Sequence, residues 1–318
     1  MNLAKEPVVV IGGTGFCGPH LVRQLLAQGY PVRVMSRRGA SGLDPWQREM
    51  LAGAEILRGD MSNPFDLTNA ISGAETVVHA ASASKSRNSD VAIEQDIDIN
   101  LKGTVSIIQT AGACGAKRLV YLSSAGAIYG IGQGRPYIES DTCQPLSSYG
   151  IVKLAAESYV THLGAAHGLS TLITRISNPY GPGQTGADGQ GIMAVFSRLI
   201  SKGQPVRLFG DGSAERDYIT VEDAMRALLE LMAMGEEGIV NIASGQSSSI
   251  SSILDMLEDV MGQSAERTYV EAARTADLGH VHINNDKMVA RLGWKPDQDM
   301  RPNVQSFIDW MTRTGFEK

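Results

Sequence analysis

Tyr149 and Lys153 stand four residues apart in "SSYGIVKLAAES", a spacing that puts both side chains on one face of a helix. A tyrosine ionises near pH of about 10, so alone it is a poor base at neutral pH. A neighbouring ammonium stabilises the phenolate and lowers that pKa. Tyr-x-x-x-Lys pairs also arise by chance on helix surfaces, so this one takes its meaning from what lies upstream. There "RLVYLSSAGAIYG" runs an apolar strand into Ser123 and Ser124. The carboxyl edge of such a strand is where α/β sheets take ligands. A serine hydroxyl at that edge can orient a substrate alcohol or carbonyl for proton exchange with the tyrosine. Both serines stay open on spacing alone.

A second stretch, "VVVIGGTGFCGPHLVRQLL", reads as strand, tight turn and helix, with Gly12, Gly15 and Gly18 at three-residue intervals. Glycine lets the backbone turn sharply and approach a pyrophosphate, which then meets the N–H groups at the helix start. The pattern predicts a dinucleotide site. Roughly 20 residues on, a site for NAD carries Asp or Glu against the ribose hydroxyls. Here the second strand ends in Ser36, Arg37 and Arg38. A carboxylate would repel a 2′-phosphate, whereas a guanidinium pairs with it and stacks on adenine. The expected cofactor is therefore NADP in preference to NAD, the competing reading being an ordinary solvated loop. Asp60, in "LRGDM" after the third strand, is placed either to hydrogen-bond the adenine or to cap the next helix, roles that do not exclude each other.

The elements that must position these groups follow from the alternation of the chain. Apolar strand-like runs ("PVVVIGG", "PVRVMS", "AEILRGD", "TVVHAAS", "RLVYLSS", "LSTLITRIS") are interleaved with helical periodicity. That alternation predicts an α/β fold: a doubly wound parallel sheet with helices on both faces. After about Ser177 the pattern changes to a glycine-rich stretch, "NPYGPGQTGADGQG", expected to be an irregular loop over a site. Beyond it, helices ("IMAVFSRLISKG", Val221–Met234, "ISSILDMLEDVMG") and strands ("PVRLFG", "GIVNIAS") predict a smaller C-terminal α/β lobe. The expected division is 1–176 for the dinucleotide-binding domain and 177–318 for the lobe, with 220–243 returning to the first.

A net charge of −6 argues against general nucleic-acid binding. Any anionic ligand must then be held by local arginines and backbone N–H groups. Three cysteines are too few and too odd for a disulfide framework, and the chain has neither a signal-peptide pattern nor a membrane-length apolar run. A cytoplasmic protein is expected, with no metal and no membrane partner.

Taken together, "GGTGFCG", Gly59-Asp60, "VVHAAS", "INLKGT", "VYLSS", "YGIVK", "RISNPYGPG", "FGDGSAERDYITVEDA" and "LGWKP" resemble the extended short-chain dehydrogenase/reductases. Within them the chain is similar to the NAD-dependent epimerase/dehydratase group typified by UDP-glucose 4-epimerase, over essentially its whole length. The resemblance implies a Rossmann domain with a substrate-binding lobe. It implies Tyr149 as general acid/base, Lys153 as its electrostatic partner and nicotinamide-ribose ligand, and Ser124 as the proton-relay serine. Asn100 would support the active-site architecture and Pro179-Tyr180 would pack near the nicotinamide. Thr14, Phe16, Met61, Ala80 and Ala81 join the glycines, Ser36, Arg37, Arg38 and Asp60 as cofactor contacts. Ser84, Ser124, Asn178, Arg216 and Arg274 would contact substrate, with Asn178 and the two arginines on a diphosphate. A homodimer through helices near 92–113 and 147–167 is also implied.

Three departures qualify the likeness. "SSAGAIYG" carries one residue more before Tyr-Gly than the family's usual spacing, which by strict count would put Ala125 at the serine position. Ala125 and Gly126 stand where dehydratases place an acid, so dehydration is disfavoured. The acid after the second strand is missing. The expected activity is nucleotide-sugar epimerisation through transient oxidation of a sugar hydroxyl. The alternative is NADPH-dependent reduction of a keto-sugar nucleotide or other small carbonyl compound. A non-catalytic NADP sensor or RNA-associated relative is disfavoured by the retained Tyr-Lys pair and the acidic charge.

Overall fold

The computed structural model describes residues 6–82, 90–186, 189, 191–271 and 279–315. Along the chain run β1 (Val8–Ile11), α1 (Cys17–Ala27), β2 (Val32–Ser36), α2 (Pro45–Met50), β3 (Glu55–Arg58), α3 (Pro64–Ile71) and β4 (Thr76–His79). Then come α4 (Ile93–Asp96), a π-helical turn (Ile97–Lys102), α5 (Gly103–Ala113), β5 (Arg118–Ser124), α6 (Ala125–Ile128), α7 (Ser148–Ala166) and β6 (Ser170–Ile176). The remainder comprises β7 (Asn178–Tyr180), α8 (Ile192–Ser201), β8 (Val206–Phe209), β9 (Glu215–Thr220), α9 (Val221–Ala233), β10 (Gly238–Ile242), β11 (Ser247–Ser249), α10 (Ile250–Met261), β12 (Arg267–Val270), α11 (Asp286–Leu292) and α12 (Arg301–Thr314).

Seven strands form one sheet in the order β10-β6-β5-β4-β1-β2-β3. The pairings β3–β2–β1–β4–β5 are parallel, with Val10 opposite both Val34 and Val78. Every residue of β1 is buried, as expected of a strand covered by helices on both faces. Val9, Ile11, Leu67, Val77, Ile107, Leu119 and Val160 belong to one continuous core on the sheet. The order reverses direction at β1 and β4. That is the topological switch point, where the carboxyl ends of the strands open a crevice for ligands. This is the doubly wound, Rossmann-type architecture expected from the alternation of the chain.

The chain divides into two compact units. The first comprises Met1–Ser124, Ser147–Arg175 and Met225–Val240, and the second Ala125–Leu146, Ile176–Ala224 and Asn241–Lys318. The second unit therefore also claims 125–146, a piece that the alternating pattern assigned to the first domain. Its sheets are small: β11-β9-β7, and β8 paired in parallel with β12. The second unit also holds a stacked pair, Tyr129 on Tyr137, with ring centroids 4.7 Å apart. The Tyr129 hydroxyl donates to Asn241 Oδ1 at 2.8 Å.

One expectation is corrected here. The stretch opening with Asn178, Pro179 and Tyr180 was expected to be irregular for its glycines, yet these residues form β7, pairing in parallel with Tyr218–Thr220 of β9. The proline is tolerated because a sheet this short leaves a strand edge free of the ladder.

Candidate active site

The glycine loop is built by close approach. Gly12 has φ of 86°, and a Cβ there would lie 2.5 Å from the Ala81 backbone, across the gap between the ends of β1 and β4. A Cβ on Gly18 would lie 2.5 Å from Gly13. Neither position accepts a side chain without moving backbone. The helix that follows starts at Cys17, and its N-cap residue Phe16 offers no side-chain hydrogen bond. The first N–H groups of α1 are thus left for a ligand, which is the arrangement that favours an anion. Thr14 is buried, and its carbonyl accepts from Gln47 Nε2 at 2.9 Å and Arg38 Nη2 at 3.2 Å.

At the end of β2, the Ser36 hydroxyl is buried without a hydrogen-bond partner, while Arg37 and Arg38 are exposed. Arg38 is tethered to the glycine loop through Thr14; Arg37 faces the charge of Asp60. Asp60 Oδ1 accepts from both Ser62 N and Ser62 Oγ, which holds the carboxyl below the usual range. Asp60 is not the cap of α3. That role falls to Asn63, whose side chain accepts from Phe65 N. The Met61 side chain is core, 7% exposed and packed on Gly103, so only its backbone is left for a ligand. The uncapped helix start, the loop that no Cβ can enter and the orphaned Ser36 hydroxyl together fit a dinucleotide.

At the end of β5, adjacent serines part company, because successive side chains on a strand point to opposite faces. Ser124 acts on the Tyr149 phenol, lowering its pKa. Ser123 is 6% exposed and donates instead to Glu157 Oε1. The ambiguity between the two serines is a matter of side-chain direction, and Ser124 is the one turned to the tyrosine.

The Lys153 ammonium donates to the Leu122 carbonyl at 2.8 Å and stands 5.8 Å from the Tyr149 ring centroid and 4.7 Å from that of Tyr121. Burial lowers the Lys153 pKa to about 8, against the carboxylates of Glu157 and, less strongly, Asp96, which raise it. Tyr149 is pushed up to about 12, first by burial, against Ser124, which lowers it. In the free chain, removal from water holds the phenol above its ordinary pKa.

Behind the pair lies a buried ion pair. Arg175 Nη2 meets Glu157 Oε2 at 2.8 Å, with both side chains 4% exposed. A second chain of bonds runs from β4 into the π turn. The Thr104 hydroxyl donates to the Asn100 carbonyl at 2.6 Å, which leaves its oxygen to accept from His79 Nε2 at 2.9 Å. His79 therefore carries its proton on Nε2, and burial lowers its pKa to about 3, so the ring stays neutral. The Asn100 side chain donates to Asp96. Glu157, Arg175, Cys17 and Asp96 escaped the sequence reading. Glu157 had a signal, lying one further helical turn beyond Lys153 on the same face.

In the second unit, Asn178 Nδ2 donates to the Asp217 carbonyl at 2.7 Å. Arg216 Nη1 donates to the Glu215 carbonyl at 2.8 Å and to the Gly279 carbonyl. Pro179 offers its carbonyl to Gln184 Nε2. Ala80 donates its N–H to the Ile11 carbonyl, continuing the β1–β4 pairing past the strand ends. Ser84 and Arg274 lie outside the described residues. Among the described residues, no group of three or more His, Cys, Asp or Glu side chains could hold a metal ion, and no helix is long and apolar enough to cross a membrane.

The family model described as "NAD dependent epimerase/dehydratase family" matches residues 8–243. The chain belongs to that family of enzymes. It is similar to the UDP-glucose 4-epimerase of Thermotoga maritima, whose structure holds UDP-glucose. That similarity is 28% identity and a TM-score of 0.88 over 97% of this chain and 99% of the other. The Thermus thermophilus UDP-glucose 4-epimerase, solved with NAD, gives 28% identity and a TM-score of 0.87 over 96% and 99%. The dTDP-4-dehydro-6-deoxyglucose reductase of Escherichia coli is 27% identical over 97% of this chain and 98% of its own.

Proposed function

We propose that the chain is a nucleotide-sugar 4-epimerase that prefers NADP and acts on a UDP-sugar. The observation that carries the reading is the grouping of Ser124, Tyr149 and Lys153 at the end of β5, with the Lys153 ammonium 5.8 Å from the Tyr149 ring, one strand from the glycine loop's crevice. A nicotinamide cofactor held there supplies reversible oxidation of a sugar carbinol. Gly12, Gly15 and Gly18 with the start of α1 would hold its pyrophosphate, and Ser36, Arg37 and Arg38 its 2′-phosphate. Tyr149 accepts the proton of the sugar hydroxyl and returns it, Ser124 aligns the oxygen, and the Lys153 cation near the ring stabilises the phenolate while it exists. Asn178 and Arg216 are the residues we assign to the diphosphate.

Two observations favour a second reading, NADPH-dependent reduction of a keto-sugar nucleotide: the Ser-Arg-Arg ending of β2 and the similarity to the E. coli reductase. We further place the protein in the cytoplasm, a reducing compartment that suits a sparse and odd cysteine count. A homodimer is supported by Ile93 and Ile97 and by Ile151 and Tyr159 on α7, which expose apolar surface at four- and eight-residue spacing on the implicated helices.

The test is incubation of the purified chain, supplied with NADP or NAD, with UDP-glucose, followed by ¹H NMR for UDP-galactose. Interconversion supports the epimerase. NADPH consumption with a 4-keto-sugar nucleotide and no interconversion supports the reductase. Tyr149→Phe should abolish either activity while leaving nucleotide binding intact.

A further inference from the structure

Asp96 is a buried acid that the mechanism does not use. Asp96 closes α4 and leads directly into the π turn that carries Asn100, and it is 2% exposed. Its Oδ1 accepts from Asn100 Nδ2 at 2.7 Å, and its Oδ2 accepts from the Ser148 hydroxyl at 3.0 Å. Ser148 is the residue before Tyr149 and opens α7. A single carboxylate thus ties the segment bearing Asn100 to the helix turn bearing Tyr149. π turns interrupt regular helix at a cost and concentrate at functional sites, and this one is held from both ends. The His79–Thr104–Asn100 chain fixes its far side, and Asp96 its near side.

The charges around Lys153 give Asp96 a second role. On its own helix stands Glu157, whose carboxylate is shared with Arg175 of β6 and Ser123 of β5. From α1 comes the Cys17 thiol, pushed up to about 12 by burial and so neutral. His79 of β4 is neutral, and Tyr121 of β5 is held far above its ordinary pKa by burial. Glu157 raises the Lys153 pKa more than Asp96 does, and Asp96 is the carboxylate that raises the pKa of Tyr149 as well.

We propose that Asp96 is a positioning residue for the reaction: it locks the Asn100 turn to the start of α7, and from that fixed place its charge acts on the Tyr149–Lys153 pair. The inference rests on the reading of Tyr149 and Lys153 as the acid/base pair.

Asp96→Asn separates charge from geometry. Its Oδ1 still accepts from Asn100, and its Nδ2 donates to the Ser148 oxygen once that hydroxyl turns. ¹³Cε-lysine NMR of the full chain, with the Lys153 signal identified by its loss in Lys153→Arg, reads the effect without any substrate. Asp96→Asn should lower the Lys153 titration midpoint by half a pH unit or more, and Asp96→Glu should leave it in place. Asp96→Ser, which leaves room for water, is read the same way should the Asn variant not fold. An unmoved midpoint in the charge-free variants overturns the proposal.

In the UDP-glucose assay, Asp96→Asn should lower kcat at least tenfold with KM within twofold, and move the high-pH limb of kcat to lower pH. A loss that is equal at every pH, or confined to KM, overturns the positioning role. A wild-type chain inert toward UDP-sugars and keto-sugar nucleotides would instead sink the functional reading, and the lysine titration would still decide what Asp96 does to Lys153.

Discussion

Ser124 acts on the Tyr149 phenol and lowers its pKa, while its chain neighbour Ser123 turns the other way to Glu157. Two residues of one type, side by side, are therefore expected to behave differently. Ser124→Ala should lower kcat by about 10²-fold or more, the scale of a lost proton-exchange partner. Ser123→Ala should leave kcat within a few-fold and cost about 1 kcal/mol of stability through one lost buried hydrogen bond. Steady-state kinetics and denaturant melts of the two variants check this; equal kinetic losses would defeat the assignment.

Arg37 and Arg38 are likewise separable. Arg37 has its guanidinium free of the glycine loop, so Arg37→Ala should weaken NADPH by roughly 10- to 100-fold, the worth of a charge-assisted hydrogen bond, and leave NADH unchanged. Arg38 also holds the Thr14 carbonyl, so Arg38→Ala should weaken both nucleotides. Fluorescence titrations with the two cofactors distinguish the outcomes. Equal affinities of the unmutated chain for NADPH and NADH would remove the basis of the cofactor preference.

Gly12→Ala should abolish binding of either nucleotide. Its Cβ would fall 2.5 Å from Ala81 Cα, and φ of 86° is a conformation that alanine resists. The same titrations read it; retained binding would mean that the β1–β4 crevice is not the cofactor's seat.

Activity should fall as pH rises through about 8. Burial lowers the Lys153 pKa from 10.5 to about 8, so the ammonium is complete below that value and lost above it. The phenolate of Tyr149 then loses its stabilising cation. A kcat profile between pH 6 and 10 is the check, and Lys153→Arg, which holds its charge throughout, should flatten the high-pH limb.

Arg175→Met should destabilise the fold by roughly 3–5 kcal/mol, because it leaves Glu157 buried without its counter-charge. Replacing both partners together, Arg175→Met with Glu157→Gln, should recover part of that loss. Urea denaturation of the single and double variants measures it.

Much of this protein was legible before its structure. The strand–helix alternation and the glycine spacing are local signals, each written within about ten to twenty residues, and the parallel sheet and its loop follow from them. Tyr149 and Lys153 were legible for the same reason, since a four-residue interval on a helix fixes a shared face. The serines were only half legible. A strand's alternation says that Ser123 and Ser124 diverge, but which faces Tyr149 depends on where α7 packs. Asn178–Tyr180 was misread because its strand exists only by pairing with β9, some 40 residues away.

The sequence by itself determined the architecture, the family and the residue types at the glycine loop, the Ser-Arg-Arg turn and the Tyr-Lys pair. Only the tertiary structure decided their electrostatics. Burial is a property of the packed chain, and it raised Tyr149 to about 12 and lowered Lys153 to about 8, while the fold brought Asp96, from more than 50 residues upstream, onto Ser148 at the start of the tyrosine's helix. No spacing rule within a segment carries that information, because a desolvation penalty and a through-space charge depend on what folding assembles around a group.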